Sequence, residues 1–312
     1  MNFLTMEYFV TVANRRSITK AAEELHITQQ TLSAHIQAVE RELGCRLIVR
    51  RNPLELTYAG EVFLRYALQF RRSYQSMQAE FGDLTGNQRG ELRVGVSYTR
   101  GRSIMPDIMV RFGREYPNIC IRLVEGVNDE LLRSLRGGDT DIAIANFDET
   151  PQGIVISDFY TERIVMLVRA DMCPDGVGPT LDPGQLALFE STPFVLGNPE
   201  DIVGRISRRM IKKAGFQPMI RAQSDNAETL IAMSCAGIGA CFVPRHMLPL
   251  AILPEHMADM RIFGFDEDEK YMINFGYRSR PYQWTVISEF MRIARETIGE
   301  SDGQRRIHGS CP

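Results

Sequence analysis

The sequence lacks the marks of several large functional classes. Its six cysteines, Cys45, Cys120, Cys173, Cys235, Cys241 and Cys311, include no Cys-x-x-Cys pair, and no histidine stands at metal-ligand spacing from them. Neither a disulfide framework nor a metal site is expected, and the thiols read as reduced in a cytosol. The longest apolar runs, such as Ile142 to Ala145, are far too short to span a bilayer, and Met1 to Met6 carry no basic leader segment. The expected location is therefore cytoplasmic, with no membrane partner. There is no Gly-x-Ser-x-Gly, no phosphate-binding loop and no histidine paired with a carboxylate at chemical spacing. Gly237-x-Gly239 follows a helical pattern rather than opening one, unlike a dinucleotide fingerprint. No catalytic residue and no cofactor is expected, and no internal repeat is seen.

Net charge is also small. The chain of 312 residues has 36 Lys+Arg against 39 Asp+Glu, a formal charge of −3, with 44% hydrophobic and 24% charged residues. That is an ordinary globular balance over a length that suits about two domains. Residues 1–89 carry 11 basic against 9 acidic side chains, leaving 25 against 30 for the rest. The asymmetry is too weak to imply nucleic acid, because a DNA-binding domain needs its positive charge on one face rather than in bulk.

The pattern along the chain is more informative. Met6, Phe9, Val10 and Ala13 recur at helical spacing and predict a first helix to about Asn14. Ser17 is placed to cap a second helix carrying Ile18, Ala21, Ala22 and Leu25. After a short turn at His26 and Ile27, Thr28 can cap a third, with Leu32, Ile36, Val39 and Leu43 inward and Gly44 at its end. Three short helices with a tight turn between the last two are what a helix-turn-helix requires. Two short strands, Leu47 to Val49 and Leu54 to Leu56, flank Arg50-Arg51-Asn52-Pro53 as a basic-tipped wing. From Thr57 a long helix is predicted, whose Phe63, Ala67, Phe70, Tyr74, Met77 and Phe81 alternate steps of four and three, a seam that wants a partner helix. Gly86 and Asn87 mark the hinge after it.

Beyond Glu91 strands and helices alternate: strand Leu92 to Val96, helix Ile104 to Glu115, strand Ile119 to Val124, helix Glu130 to Leu135, strand Ile142 to Ala145. This predicts a mainly parallel sheet. Further strands are expected near 164–168, 194–196, 219–223, 240–243, 261–263 and 271–277. Helices are expected near 199–214, 226–236 and 283–298.

The stretch SITKAAEELHITQQTLSAHIQAVE from Ser17, then LGCRLIVRR and LTYAGEVFL, resembles the LysR-type transcriptional regulators over about 45 residues. The resemblance implies an N-terminal all-α winged helix-turn-helix over residues 1–58 and a dimerising linker helix with hinge over 59–89. A periplasmic-binding-protein-like, two-lobed α/β effector domain follows over 90–298, with a disordered tail at 299–312. Lobe I is assigned 91–162 and 268–298, lobe II 163–267, joined by crossovers near 159–163 and 263–268. The implied partners are double-stranded DNA, a small-molecule effector, further copies of the chain as a homodimer or homotetramer, and RNA polymerase. Two departures stand out: the family commonly has Pro at the position of Gln30 and Arg at that of Ala34.

Candidate site residues follow. For DNA they are Thr28, Gln29, Gln30, Thr31, Ser33 and Gln37 on the third helix and Arg50 and Arg51 on the wing. Glutamine can bond adenine in the major groove and arginine can hold phosphate. For the effector they are Thr99, Arg100, Arg102 and Ser103 after the first strand of the α/β domain, with Asn128, Asn146, Asn198 and Asn226. Ligands of such domains sit beyond strand ends where helix N-termini supply N–H groups, and arginine suits a carboxylate. A small anionic effector is expected between the lobes. The rival readings are an enzyme built on the same cleft, a secreted solute-binding protein, a ligand-free architectural DNA binder and a redox sensor. Cys235 and Cys241 could serve the last, but they flank an apolar turn that favours core packing.

Overall fold

The computed structural model describes residues 2–49, 51, 53–86, 88–147, 150–178, 180–265, 270–280 and 282–308, and divides into two compact units, 1–88 and 89–312. The first unit contains α1 (Phe3–Arg15), α2 (Ile18–Glu24), α3 (Gln29–Leu43), the two-stranded β1 (Ile48–Val49) and β2 (Glu55–Leu56), and α4 (Tyr58–Leu84). Side-chain caps set the helix starts. Ser17 Oγ accepts from Lys20 N, Thr28 Oγ1 from Thr31 N and Thr57 Oγ1 from Gly60 N, at 3.3, 3.1 and 3.0 Å. Each satisfies an amide that the helix itself leaves unbonded. Gly44 closes α3 with φ 69°, a left-handed conformation that favours glycine.

Phe9, Leu32, Ile36, Val39 and Leu47 form the buried centre of this unit, and Phe9 meets Phe63 of α4 edge-on at 4.9 Å. Each such side chain contributes about 1.5–3 kcal/mol by leaving water. Leu43, expected on the inward face, is 44% exposed because α3 ends there, beyond the reach of α1 and α2. Glu40 ties α3 to the wing: its Oε1 accepts from Leu47 N at 2.7 Å and Ile48 N at 3.3 Å.

The second unit runs β3 (Gly90–Val96), α5 (Tyr98–Ser103), α6 (Met105–Glu115), β4 (Ile119–Glu125), α7 (Asn128–Gly137), β5 (Ile142–Ala145) and the 16-residue β6 (Ile154–Arg169). It continues with β7 (Thr180–Leu181), α8 (Pro183–Leu186), β8 (Pro193–Leu196), α9 (Ile202–Lys213), β9 (Met219–Gln223), α10 (Ala227–Cys235) and β10 (Cys241–Pro244). After a 3-10 turn at Arg245–Met247 come α11 (Leu248–Ala251), α12 (Pro254–Met257), β11 (Met260–Phe265), β12 (Lys270–Arg278) and α13 (Thr285–His308). The main sheet has the order β4-β3-β5-β12-β6-β11-β7, with β10 also on β6. β3, β4 and β5 are parallel as expected, whereas β12 runs antiparallel to both β5 and β6.

The two lobes share β6. Its first half pairs with β12 in lobe I and its second half with β10 and β11 in lobe II, so the first crossover is one unbroken strand. The second lies between β11 and β12, partly outside the described residues. The helix expected over Ile104 to Glu115 is α6, and Ser97 caps a further six-residue helix before it, α5, that was not expected. One expectation is corrected here. α13 carries on to His308, past the point at 298 where a disordered tail is expected, while residues 309–312 lie outside the described residues. In lobe I, Asp141 pins β5 to β3: its carboxylate takes Arg93 N at 2.9 Å and the Arg93 guanidinium at 3.1 and 2.8 Å. Phe112 of α6 packs edge-on against Phe290 of α13 at 5.7 Å.

Candidate functional site

In the first unit the candidate surface is the outer side of α3. Thr28, Gln29, Gln30, Thr31 and Gln37 are exposed and Ser33 is half-buried, while Leu32, Ile36 and Val39 between them are buried. One face of a helix is thus left to polar side chains, the arrangement that a groove-reading helix needs. Two of these candidates already have work. The hydroxyls of Thr28 and Thr31 lie 2.8 Å apart, and Thr28 caps the helix, so they help to fix its first turn. Arg51 at the wing is exposed and only loosely engaged, 3.7 Å from Glu55. Arg50 lies outside the described residues. Arg15 is paired with Glu24, both side chains being about half exposed. His35 packs edge-on against Tyr8 at 5.0 Å and is a structural residue.

In the second unit a cleft of ≈ 700 Å³ opens between the lobes. Lobe I lines it with Ser97 to Arg100, Val127 to Asp129 and Asn146, and lobe II with Asn198, Asp201 to Val203, Asp225 to Glu228 and Pro244. The N-terminal ends of α7, α9 and α10 all meet it, because each helix follows a strand that ends there. Six of the eight expected residues line the cleft: Thr99, Arg100, Asn128, Asn146, Asn198 and Asn226. Several also serve the fold. Asn226 Oδ1 accepts from Glu228 N at 2.8 Å, Asn198 Oδ1 from Glu200 N at 2.9 Å, and Asn146 Nδ2 donates to the Met272 carbonyl at 2.9 Å.

Arg102 and Ser103 are not among the lining residues. Ser103 is the last residue of α5, a helix that was not expected, and α6 begins beyond it at Met105. Arg102 instead spans to the other lobe, pairing with Glu228 and donating to the Leu250 carbonyl at 2.9 Å.

Arg100 is different. It is 8% exposed, yet it lines the cleft, and its Nη1 donates to Ser97 Oγ at 2.9 Å. Burial works against its charge, but Tyr271, Tyr160 and Glu162 around it outweigh burial and hold it above the ordinary guanidinium range. Its Nε is buried without a hydrogen-bond acceptor among the described residues. Behind it Tyr160 Oη donates to Glu162 Oε2 at 3.3 Å, and burial pushes the phenol of Tyr160 up, so it stays a neutral donor. The cleft lining as a whole carries Arg100, Arg136 and Arg205 against Asp129, Glu200, Asp201, Asp225 and Glu228. These five carboxylates against three guanidiniums disfavour any ligand with several negative charges.

Sequence reasoning missed Asp201, Tyr271, Glu162 and Tyr160. The last two had a signal: Tyr160, Glu162, Ile164, Met166 and Val168 share the buried phase of one strand, so Glu162 is a carboxylate on an inward position.

Comparison with known proteins fits this geometry. The family "LysR substrate binding domain" matches residues 85–298, and "Bacterial regulatory helix-turn-helix protein, lysR family" matches residues 3–61. The chain is 26% identical over 295 residues to the HTH-type transcriptional regulator IlvY of Escherichia coli, covering 94% of this chain and 98% of the relative. It is 28% identical over 247 residues to YybE of Bacillus subtilis, an uncharacterised HTH-type regulator, covering 78% and 82%. Among solved structures, full-length CbnR in complex with its target DNA is similar with a TM-score of 0.68 at 24% identity, covering 95% of this chain and 100% of that one. A mutant of Corynebacterium glutamicum OxyR is similar with a TM-score of 0.66 at 23% identity, covering 100% and 96%. At these identities the structures speak to the fold.

Proposed function

The chain belongs to the LysR-type transcriptional regulators, a family of regulators and not of enzymes, and from that premise we propose that it is a sequence-specific regulator whose output is set by a small effector carrying one anionic group. The helix-turn-helix domain binds DNA, reading base edges with Gln29, Gln30, Ser33 and Gln37 of α3 while Arg50 and Arg51 hold phosphates beside it. The effector sits between the lobes. The observation that carries this reading is Arg100, a cation nine-tenths buried in the cleft wall beside Ser97 and Thr99. Amides at the starts of α7 and α10 complete the seat, since helix N-termini favour negative charge. The five carboxylates of the lining favour an effector with a single negative charge over one with several.

An effector that prefers one arrangement of the lobes shifts the population between arrangements, and so the spacing of paired DNA-binding domains. The working assembly is a homodimer or homotetramer in the cytoplasm, acting with RNA polymerase at the promoter. The CbnR complex supports the DNA half of this reading by likeness of fold. Among the described residues no helix is long and apolar enough to cross a membrane.

The test is a thermal-shift screen of monocarboxylates, each paired with its uncharged amide. A ligand at 100 times its Kd stabilises the folded state by about 2.7 kcal/mol. The reading expects a carboxylate hit whose amide is silent and whose shift is lost in Thr99→Val. A hit in which acid and amide are equivalent rules out the anionic assignment.

A further inference from the structure

Glu162 is 2% exposed, in the middle of the strand that both lobes share, and a histidine and a tyrosine converge on it. His246 Nδ1 lies 2.9 Å from Glu162 Oε1, and Tyr160 Oη donates to Oε2 at 3.3 Å. Tyr160 in turn joins Arg100 by a hydrogen bond, and Tyr271 stands opposite Glu162 in the β6–β12 ladder. The groups come from separate elements. Arg100 is on α5 of lobe I, Tyr160 and Glu162 are on the crossover strand, and His246 is on the 3-10 turn that follows β10 of lobe II, two residues after Pro244 in the cleft lining. The imidazole also meets Tyr160 edge-on at 5.5 Å.

Resting on the reading that the cleft takes an anion, we propose that Glu162 and His246 are a positioning pair behind the effector site, in which protonation of His246 raises the positive charge that Arg100 presents to the cleft. Glu162 holds Arg100 from behind through Tyr160. With His246 neutral, Arg100 and Glu162 cancel and the cluster is uncharged. When His246 takes a proton, Glu162 is shared between two cations and the cluster carries one net positive charge. An imidazole makes this change between about pH 5 and 8. Other charged or titratable groups on the packed elements are Arg102 and Tyr98 on α5, Arg163 on β6, Lys270 and Tyr271 on β12, Asp201 at the start of α9 and Arg245 beside His246. Burial holds Tyr160 and Tyr271 neutral, and Arg102 is committed to Glu228. His246 is therefore the group in the cluster whose charge changes there. By linkage, anion affinity falls as pH rises through its titration.

Two measurements on the full chain test this. The first follows the histidine imidazoles by selective 13C labelling, with the His246 signal identified by its loss in His246→Gln. Glu162→Gln, which keeps the shape and removes the charge, is expected to lower the His246 midpoint by about one pH unit or more. An unmoved midpoint overturns the proposal. The second uses trifluoroacetate as a probe anion, read by 19F NMR at pH 6 and pH 8, with Thr99→Val to assign the signal to the cleft. Wild type is expected to bind several-fold, at most about tenfold, more tightly at pH 6 in low salt, and His246→Gln to bind equally at both. The same pH ratio in wild type and His246→Gln overturns the proposal while leaving the anion reading intact. No cleft binding at either pH, beside a normal His246 titration, overturns the anion reading and the proposal with it.

Discussion

Arg102 of α5 and Glu228 of α10 join the two lobes beside the cleft, and Arg102 also donates to the Leu250 carbonyl at 2.9 Å. Glu228 lines the cleft while Arg102 does not, so the pair closes one lobe against the other without occupying the ligand space. The side chains are 49% and 35% exposed, which caps the worth of the pair at about 1 kcal/mol. Arg102→Ala is therefore expected to lower Tm by no more than about 4 °C. In a double-mutant cycle with Glu228→Ala the coupling should be about 0.2–1 kcal/mol. A coupling near zero would remove the pair from any account of lobe closure.

Gly60 meets the wing with no room for a side chain. A Cβ there would stand 2.0 Å from the Leu47 carbonyl oxygen, the same oxygen that accepts from Thr57 N at 3.0 Å. Gly60→Ala must push α4 away from the wing, which typically costs about 1–3 kcal/mol. Chemical denaturation should show that loss, and unchanged stability would contradict the packing described.

Phe70, Tyr74, Met77 and Phe81 are 49%, 38%, 45% and 60% exposed along α4, and Phe3 covers only part of them, with ring centroids 5.9 Å from Phe70 and 4.8 Å from Tyr74. If this seam pairs two chains, Phe70→Asp buries a charge in it and yields monomers with lost affinity for a two-half-site operator. Sedimentation velocity on the full chain reads the outcome directly. A dimer as tight as wild type would move the interface elsewhere.

Much of the first unit was legible from sequence because its signals are local. Ser17, Thr28 and Thr57 cap the helices they were expected to cap, and Gly44 ends α3 in a left-handed turn. The same logic failed at α5. The helix over Ile104 to Glu115 is there as α6, but the six-residue α5 capped by Ser97 ahead of it went unread. The cleft was half legible, since strand ends announce asparagines such as Asn128 and Asn226. Its buried part was not. Arg100, Tyr160, Glu162, Tyr271 and His246 meet only because α5, β6, β12 and the turn after β10 come together from distant parts of the chain, for which local pattern carries no signal.

Cysteine chemistry separates this account from a redox sensor. Cys241 is buried, and burial pushes its thiol up to about 12. Burial also raises Cys235 beside it. Cys241 is therefore held as the thiol, the unreactive form, near neutral pH. Alkylation of the folded protein followed by peptide mass spectrometry should modify the exposed Cys45 and Cys120 and spare Cys241. A Cys235–Cys241 disulfide under mild peroxide would revive the redox reading.

The central claim, a sequence-specific regulator reading DNA through α3, is tested most directly by selecting duplexes from a random pool with the full chain and titrating the winner by fluorescence anisotropy. The account predicts an enriched inverted repeat whose half-sites lie one or more helical turns apart, bound at least about a thousandfold more tightly than random duplex. Gln30→Ala and Gln37→Ala should each lose about 1–3 kcal/mol on that site and almost none on random duplex. A pool without enrichment, or equal losses on specific and random DNA, would contradict it.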